Sequence, residues 1–193
     1  MILLIAVVTG LTAGLVRAWY GRRHLRPPDL RLTWLVPIAF LPQWLAFYLP
    51  ATRRLMTANL AAVALTGSQA LLLIFAWRNR DQPGFRAMGL GLASNLLVIS
   101  LNGGLMPVSP ETMSRIFPDT GPDTWQVGTR QGWNIVLPVT ATRLWWLSDQ
   151  LLTPVWLLTR KALSVGDVLI AGGAFWLLWA LGGPKQNDSR KGV

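Results

Sequence analysis

Residues 101–110 read Leu-Asn-Gly-Gly-Leu-Met-Pro-Val-Ser-Pro, and the character of the chain changes at this stretch. Before it, long apolar runs alternate with short charged segments. After it, the chain is polar and rich in proline as far as Lys161, and then becomes apolar again. We therefore predict that a set of apolar helices ends here and that a different kind of structure begins.

The composition indicates a membrane protein. The chain has 193 residues, of which 52% are apolar and 13% are charged, whereas about a quarter of the residues of a soluble domain are charged. The charges gather between apolar runs of roughly 17–23 residues, close to the length that crosses a bilayer as a helix. We predict one all-α integral membrane domain, residues 1–193, with five transmembrane helices. Their predicted ranges are 2–20, 32–49, 55–77, 87–106 and 164–182.

The basic residues indicate how these helices are oriented. Most lie in the loops 21–31 and 78–86 and in the tail 183–193, and the opposite side has Arg53 and Arg54 in a short loop. Because short cytoplasmic loops are enriched in Lys and Arg, the N-terminus is predicted outside and the C-terminal tail inside. The net charge of +10 then reflects orientation and contact with a lipid bilayer, and no nucleic acid is predicted as a partner.

Two segments predict particular packing. Small residues recur every fourth position in the first helix, which suits close approach of another helix or membrane subunit, including a second copy of the chain; they are Ala6, Gly10, Gly14 and Ala18. The extracytoplasmic loop, residues 107–163, contains too many prolines for a spanning helix. Within it, Thr140 to Leu152 is predicted as an amphipathic helix on the membrane surface, with a re-entrant segment over 140–160 as the alternative.

The residue inventory excludes several kinds of chemistry. The chain has no cysteine and one histidine, His24, in an arginine-rich loop on the predicted cytoplasmic side. Disulfides, thiol catalysis and a histidine metal cluster are therefore excluded. We predict no catalytic residue, no metal site and no cofactor.

Three polar features fall on the predicted outer side. Asn102-Gly103-Gly104 with Pro107 predicts either a helix end or a ligand pocket lined by backbone. Ser164 to Asp167 has the capping-box spacing; Asp167 alternatively serves as a proton or cation group. The third is Arg143 with Asp149. Either a salt bridge between them pins the surface helix or the pair clamps a ligand. The hypothesis is that all three meet in one ligand-binding cluster: Asn102, Gly103, Gly104, Pro107, Arg143, Asp149, Ser164 and Asp167.

These motifs also carry a resemblance. Three pieces of the chain resemble a bacterial integral membrane family, domain of unknown function 5317. They are residues 102–111 (Asn-Gly-Gly-Leu-Met-Pro-Val-Ser-Pro-Glu), Thr142-Arg143-Leu144 with Leu147 and Asp149, and residues 164–169 (Ser-Val-Gly-Asp-Val-Leu). The resemblance implies a multi-helix protein of the bacterial inner (plasma) membrane. It implies no activity, substrate or catalytic residue.

The sequence is therefore compatible with three classes of function. The first is a non-enzymatic accessory or structural membrane component, which the small number of polar groups favours. The second is a binder or transporter of a small or lipidic ligand at the outer cluster. The third is an intramembrane enzyme that uses Asp167 or Glu111.

Overall fold

The computed structural model describes residues 1–49, 56–120, 124–154 and 160–184, and the chain within these ranges is mostly helical. Five apolar helical segments lie within a few residues of the predicted ranges, and a shorter helix lies in the long loop. They are α1 (Ile2–Tyr20), α2 (Leu35–Gln43, continued by a π-helical turn, Trp44–Tyr48), α3 (Ala58–Arg78), α4 (Phe85–Leu101), α5 (Pro110–Ile116) in the loop and α6 (Val165–Ala180).

Two of these helices, α1 and α3, are long and apolar enough to cross a membrane, with 19 and 21 residues. The other three apolar segments are shorter, at 10–17 residues. Large apolar side chains point away from the bundle on every one of the five, for example Leu4, Val63 and Leu90. The five-span topology and the outer position of the loop stay predictions.

The apolar helices pack side by side in the order α2, α3, α4, α6, α1, so the N-terminal helix lies against the C-terminal one. The α1–α6 contact uses the predicted small residues, because Ala6, Gly10, Gly14 and Ala18 are the buried positions of α1. A Cβ on Gly10 would lie 2.9 Å from the Phe175 backbone, and one on Gly14 would collide with the Leu178 carbonyl. The small-residue face of α1 is therefore confirmed.

The loop contains strands, so the predicted all-α class is wrong there. β1 (Met106–Val108), β2 (Arg130–Gln131) and β3 (Asn134–Val136) form a sheet in the order β1-β3-β2. β1 runs parallel to β3, and β2 antiparallel to β3. β4 (Leu151–Leu152) pairs antiparallel with β5 (Ala162–Leu163). These short segments satisfy their backbone groups by pairing, as buried backbone must. We call the described part of residues 102–163 the cap.

The predicted surface helix over Thr140 to Leu152 is also wrong. The segment contains two single 3₁₀ turns, Val139–Ala141 and Trp145–Leu147, and ends in β4. Leu144 between the turns has a φ of +53°, a left-handed conformation that stops a helix. The re-entrant alternative over 140–160 includes residues 155–159, which lie outside the described residues, as does the predicted tail from residue 185.

The cap is attached to the end of the bundle by apolar packing. Val98 and Ile99 of α4 share a buried cluster with Met106 and Leu147 of the cap. The Trp133 ring in the cap also meets Phe47 edge-on, with 6.3 Å between the ring centroids. This packing fixes the position of the polar segments where the cap meets α4 and α6.

Candidate functional site

Asn95 of α4 joins the start of α6 through a closed set of hydrogen bonds. Its amide nitrogen donates to Asp167 Oδ1 at 3.0 Å, and its oxygen accepts from the Ser164 hydroxyl at 2.8 Å. Ser164 N–H donates to Asp167 Oδ2 at 3.1 Å, and Asp167 N–H donates back to Ser164 Oγ at 2.9 Å. The capping-box interpretation is therefore confirmed, and we call Asn95, Ser164 and Asp167 the helix lock.

Two glycines let α4 and α6 approach closely enough for this lock to form. A Cβ on Gly166 would collide with the Asn95 side chain and lie 2.6 Å from the Gly91 carbonyl oxygen. A Cβ on Gly91 would collide with the Gly166 carbonyl in turn. The hydrogen bonds of the lock thus depend on the absence of side chains at both positions.

Asn102 lies two turns beyond Asn95 on α4 and binds the cap backbone. Its oxygen accepts from Arg143 N–H at 2.9 Å, while its amide nitrogen donates to the carbonyls of Arg143 at 2.9 Å and Val98 at 2.8 Å. Gly103 and Gly104, with φ of +83° and +84°, turn the chain out of the helix. The helix-end interpretation of this motif is confirmed. A ligand-binding role for these residues stays a prediction.

The predicted salt bridge between Arg143 and Asp149 is wrong. The Arg143 side chain is exposed, whereas Asp149 is only 4% exposed. Asp149 Oδ2 accepts from the Asn134 amide at 2.8 Å. Asn102 binds the backbone of Arg143, and Asp149 pairs with β1, so the two residues lie in different surroundings.

Asp149 is held against β1 and carries an incompletely bonded carboxyl. Its N–H donates to the Pro107 carbonyl at 3.2 Å, and it forms a parallel bridge with Val108. No donor in the described residues reaches the buried Oδ1. Burial raises the pKa of the carboxyl to about 7, and the charge of Asp167 adds to this rise while the Asn134 hydrogen bond opposes it. Burial therefore favours the protonated form of Asp149 well above the pH at which an exposed aspartate ionises.

A pocket of about 310 Å³ opens beside Asp149. We call it the Asp149 pocket. Glu111 and Arg115 of α5 also line it. The pKa of Glu111 is lowered, mainly by a hydrogen bond with the Ser109 side chain and also by its own N–H and by Arg115, so Glu111 is ionised. The remaining lining residues are Ser109, Thr112, Leu137, Val139, Thr142, Trp145, Ser148 and Gln150.

The eight predicted site residues therefore divide into groups with different surroundings. Asp149 alone of the eight lines the pocket, beside Pro107, whose carbonyl binds its N–H. Asn102, Ser164 and Asp167 use their side chains in helix-end contacts. Sequence reasoning missed Asn134, the partner of Asp149. The signal was the pair Gly132-Trp133, because a glycine of positive φ opening a two-residue turn is typical of a β-hairpin, and the hairpin brings Asn134 here.

Comparisons with known proteins agree with the resemblance. A family of unknown function, DUF5317, matches residues 28–179, more than half of the chain. An uncharacterised protein of Thermotoga maritima is 35% identical over 107 residues, which cover 54% of this chain and 55% of that protein. The match thus spans about half the length of this relative. No solved structure matches the chain. The chain belongs to the DUF5317 family of unknown function.

Proposed function

We propose that this protein is a multi-pass protein of the bacterial inner membrane that binds a small ligand at the Asp149 pocket, on the extracytoplasmic face. The membrane part of this proposal is supported by the length and apolar composition of α1 and α3. It is also supported by the large apolar side chains exposed along all five apolar helices, where lipid would cover them. Basic clusters at the ends opposite the cap favour the outer position of the pocket.

The observation that carries the binding function is the Asp149 carboxyl in the pocket wall. Burying a carboxylate oxygen without a donor costs on the order of 1–3 kcal/mol or more, and within the described ranges Oδ1 has none. Packing alone does not require such a group. Oδ1 is itself buried, so a ligand in the pocket reaches it when the Asp149 side chain rotates toward the pocket. A ligand that supplies a donor to the rotated carboxyl removes this cost.

Native mass spectrometry of the protein extracted from its own membranes tests the binding function. The wild-type chain is expected to retain a small-molecule adduct that Asp149→Asn loses. Asp119→Asn, which changes an exposed cap carboxylate away from the pocket, is the matched control and should keep the adduct. An adduct that persists in Asp149→Asn, or no adduct in any variant, would contradict the proposal.

A non-enzymatic accessory role is the second candidate, and the closed hydrogen bonding of the helix lock favours it. Asp167 uses both carboxylate oxygens on Asn95 and Ser164, so it acts as a structural group that ties α4 to the start of α6. Two results together would favour this role: a protein partner copurifies in a fixed ratio, and the chain carries no small-molecule adduct after that partner is removed.

A further inference from the structure

The Asp149 pocket presents charges of both signs. Glu111 and Arg115 stand four residues apart on α5, a spacing that places them on one helical face, and both side chains are exposed. Asp149 lies deeper, in the wall. The pocket therefore offers an anion and a cation near its mouth and a second carboxyl behind them.

Asp149 decides which chemistry the deeper end accepts. With Asn134 already bound to Oδ2, the ionised carboxyl, once rotated toward the pocket, needs a hydrogen-bond donor at Oδ1. A donor that also carries positive charge compensates the desolvation of the carboxylate and the nearby charge of Asp167, which a hydroxyl does not. An ammonium group meets both requirements, and ionised Glu111 adds a second anion for it.

Arg115 and Trp145 complete the recognition. Arg115 presents a guanidinium, which binds phosphate or carboxylate through paired donors. The Trp145 ring, 46% exposed, offers an aromatic face of the kind on which cations rest. A volume of about 310 Å³ is at the lower end of the range for small-molecule sites, about 300–1,000 Å³. The pocket thus suits a small compound that carries both charges.

We infer that the Asp149 pocket binds a zwitterion in which a primary ammonium and an anionic group lie a few bonds apart, as in phosphoethanolamine. This inference rests on the proposed ligand-binding function and names the class of ligand. The ammonium lies between Asp149 and Glu111, and the anionic group lies at Arg115. The same chemistry is available from a free solute or from the headgroup of phosphatidylethanolamine. The exposed apolar side chains of Val139 and Trp145 at the pocket fit a lipid source.

Binding should depend on pH because the ammonium favours the ionised form of Asp149. Glu111 and Arg115 line the same pocket, and the charge of Asp167 acts on the Asp149 carboxyl. The pKa of Asp149 is raised to about 7. Affinity for phosphoethanolamine should therefore rise as pH increases from 6 to 8. The rise should be smaller in Asp149→Asn, where only the second ionisation of the ligand phosphate, at about pH 6, contributes.

The experiment is calorimetric titration of the full chain in phosphatidylglycerol nanodiscs with phosphoethanolamine, ethanolamine or inorganic phosphate. Phosphoethanolamine is expected to bind the wild type about tenfold or more tightly than either fragment, because each fragment lacks one charge-assisted contact. Asp149→Asn and Arg115→Gln should each weaken it about tenfold, while Lys161→Gln, which removes a cap charge outside the pocket, should not. Glu111→Gln, an exposed change, replaces Asp149→Asn if the latter fails to fold.

The source of the zwitterion is tested by native mass spectrometry of protein moved from phosphatidylethanolamine nanodiscs into detergent. Retained phosphatidylethanolamine identifies the lipid headgroup, and binding of phosphoethanolamine without retained lipid identifies the free solute; both outcomes support the inference. Binding by phosphate or ethanolamine alone as tight as by phosphoethanolamine, or no binding from either source, would overturn it. In that case a different adduct that depends on Asp149 would still support the proposed function.

Discussion

Asp167 in the helix lock and Asp149 in the cap are both carboxylates at the same end of the molecule, and they are bonded in opposite ways. Asp167 accepts hydrogen bonds on both oxygens, from Asn95 and from Ser164, and it sits at the positive end of the α6 dipole. Asp149 is more deeply buried and accepts one hydrogen bond, from Asn134. No donor in the described part of the chain reaches the other carboxylate oxygen of Asp149, Oδ1.

This difference separates structural groups from candidate functional ones. A carboxylate whose bonds are complete fixes the geometry of two helices and has little capacity left for a ligand. A buried carboxylate with a free acceptor costs stability, which makes it a candidate binding group. The same contrast holds between Asn102, whose side chain is bonded to the backbone of Arg143 and Val98, and Asp149 beside the pocket.

The substitution with the largest expected effect is one that breaks the helix lock. Gly166→Ala places a methyl group against Asn95 and the Gly91 carbonyl, so it should lower the free energy of unfolding by about 3 kcal/mol. Gly172→Ala on the same helix is the control, because no described atom lies within 4 Å of the added Cβ. It should be neutral or stabilise by up to about 1 kcal/mol. Thermal unfolding in detergent measures both; equal effects would contradict the close approach of α4 and α6.

The next prediction concerns the pH dependence of Asp149. Because its pKa is raised from 3.8 to about 7 in the folded protein, the folded state keeps a proton that the unfolded chain loses between those values. The free energy of unfolding should therefore fall as pH rises from 5 to 7, by about 1.4 kcal/mol per unit at most, and level off above 7.

Asp149→Asn should remove this slope, whereas Asp119→Asn should keep it. Midpoints of thermal unfolding at pH 5, 6, 7 and 8 provide the comparison. A wild-type unfolding temperature that stays constant or rises between pH 5 and 7 would contradict this prediction. It would show that the Asp149 carboxyl is ionised throughout this interval.

A further comparison separates the contribution of the Asn102 side chain from that of the Arg143 side chain, which has the smallest expected effect. Asn102→Ala leaves the N–H and carbonyl of Arg143 without their partner and should cost about 1–3 kcal/mol. Arg143→Ala removes an exposed side chain and keeps the backbone contacts, so it should change stability by less than about 0.5 kcal/mol. Hydrogen exchange at the Arg143 amide should accelerate in Asn102→Ala alone. Acceleration in both variants would show that the arginine side chain, too, holds this segment against α4.

The sequence predicted the helical part of the fold well and the cap poorly, for physical reasons. The α1 face follows from a local rule, since Ala6, Gly10, Gly14 and Ala18 recur at helical spacing. The helix end at Asn102 and the capping box at Ser164 are also local, because each depends on residues within one turn. Patterns of this kind can be recognised from residues that are close together in the sequence.

The cap depends on contacts between distant segments. The parallel pairing of β1 with β3 joins Met106 to Asn134, 28 positions apart, and neither strand exceeds three residues. Periodicity over Thr140 to Leu152 favoured a helix, but the Asn102–Arg143 contact and the left-handed Leu144 override it. The pair Gly132-Trp133 signals the β2–β3 hairpin locally, but the pairing of β3 with β1, which makes Asn134 the partner of Asp149, is a contact between distant segments.

The central claim, that the Asp149 pocket faces outward from the membrane, is tested most directly by labelling single cysteines. The chain has none of its own, so one can be introduced at exposed Val127 in the cap or at exposed His24 beyond α1. A membrane-impermeant maleimide applied to intact spheroplasts should label Val127→Cys at once and His24→Cys only after lysis. Labelling of His24→Cys before lysis with Val127→Cys protected would contradict the outward-facing pocket.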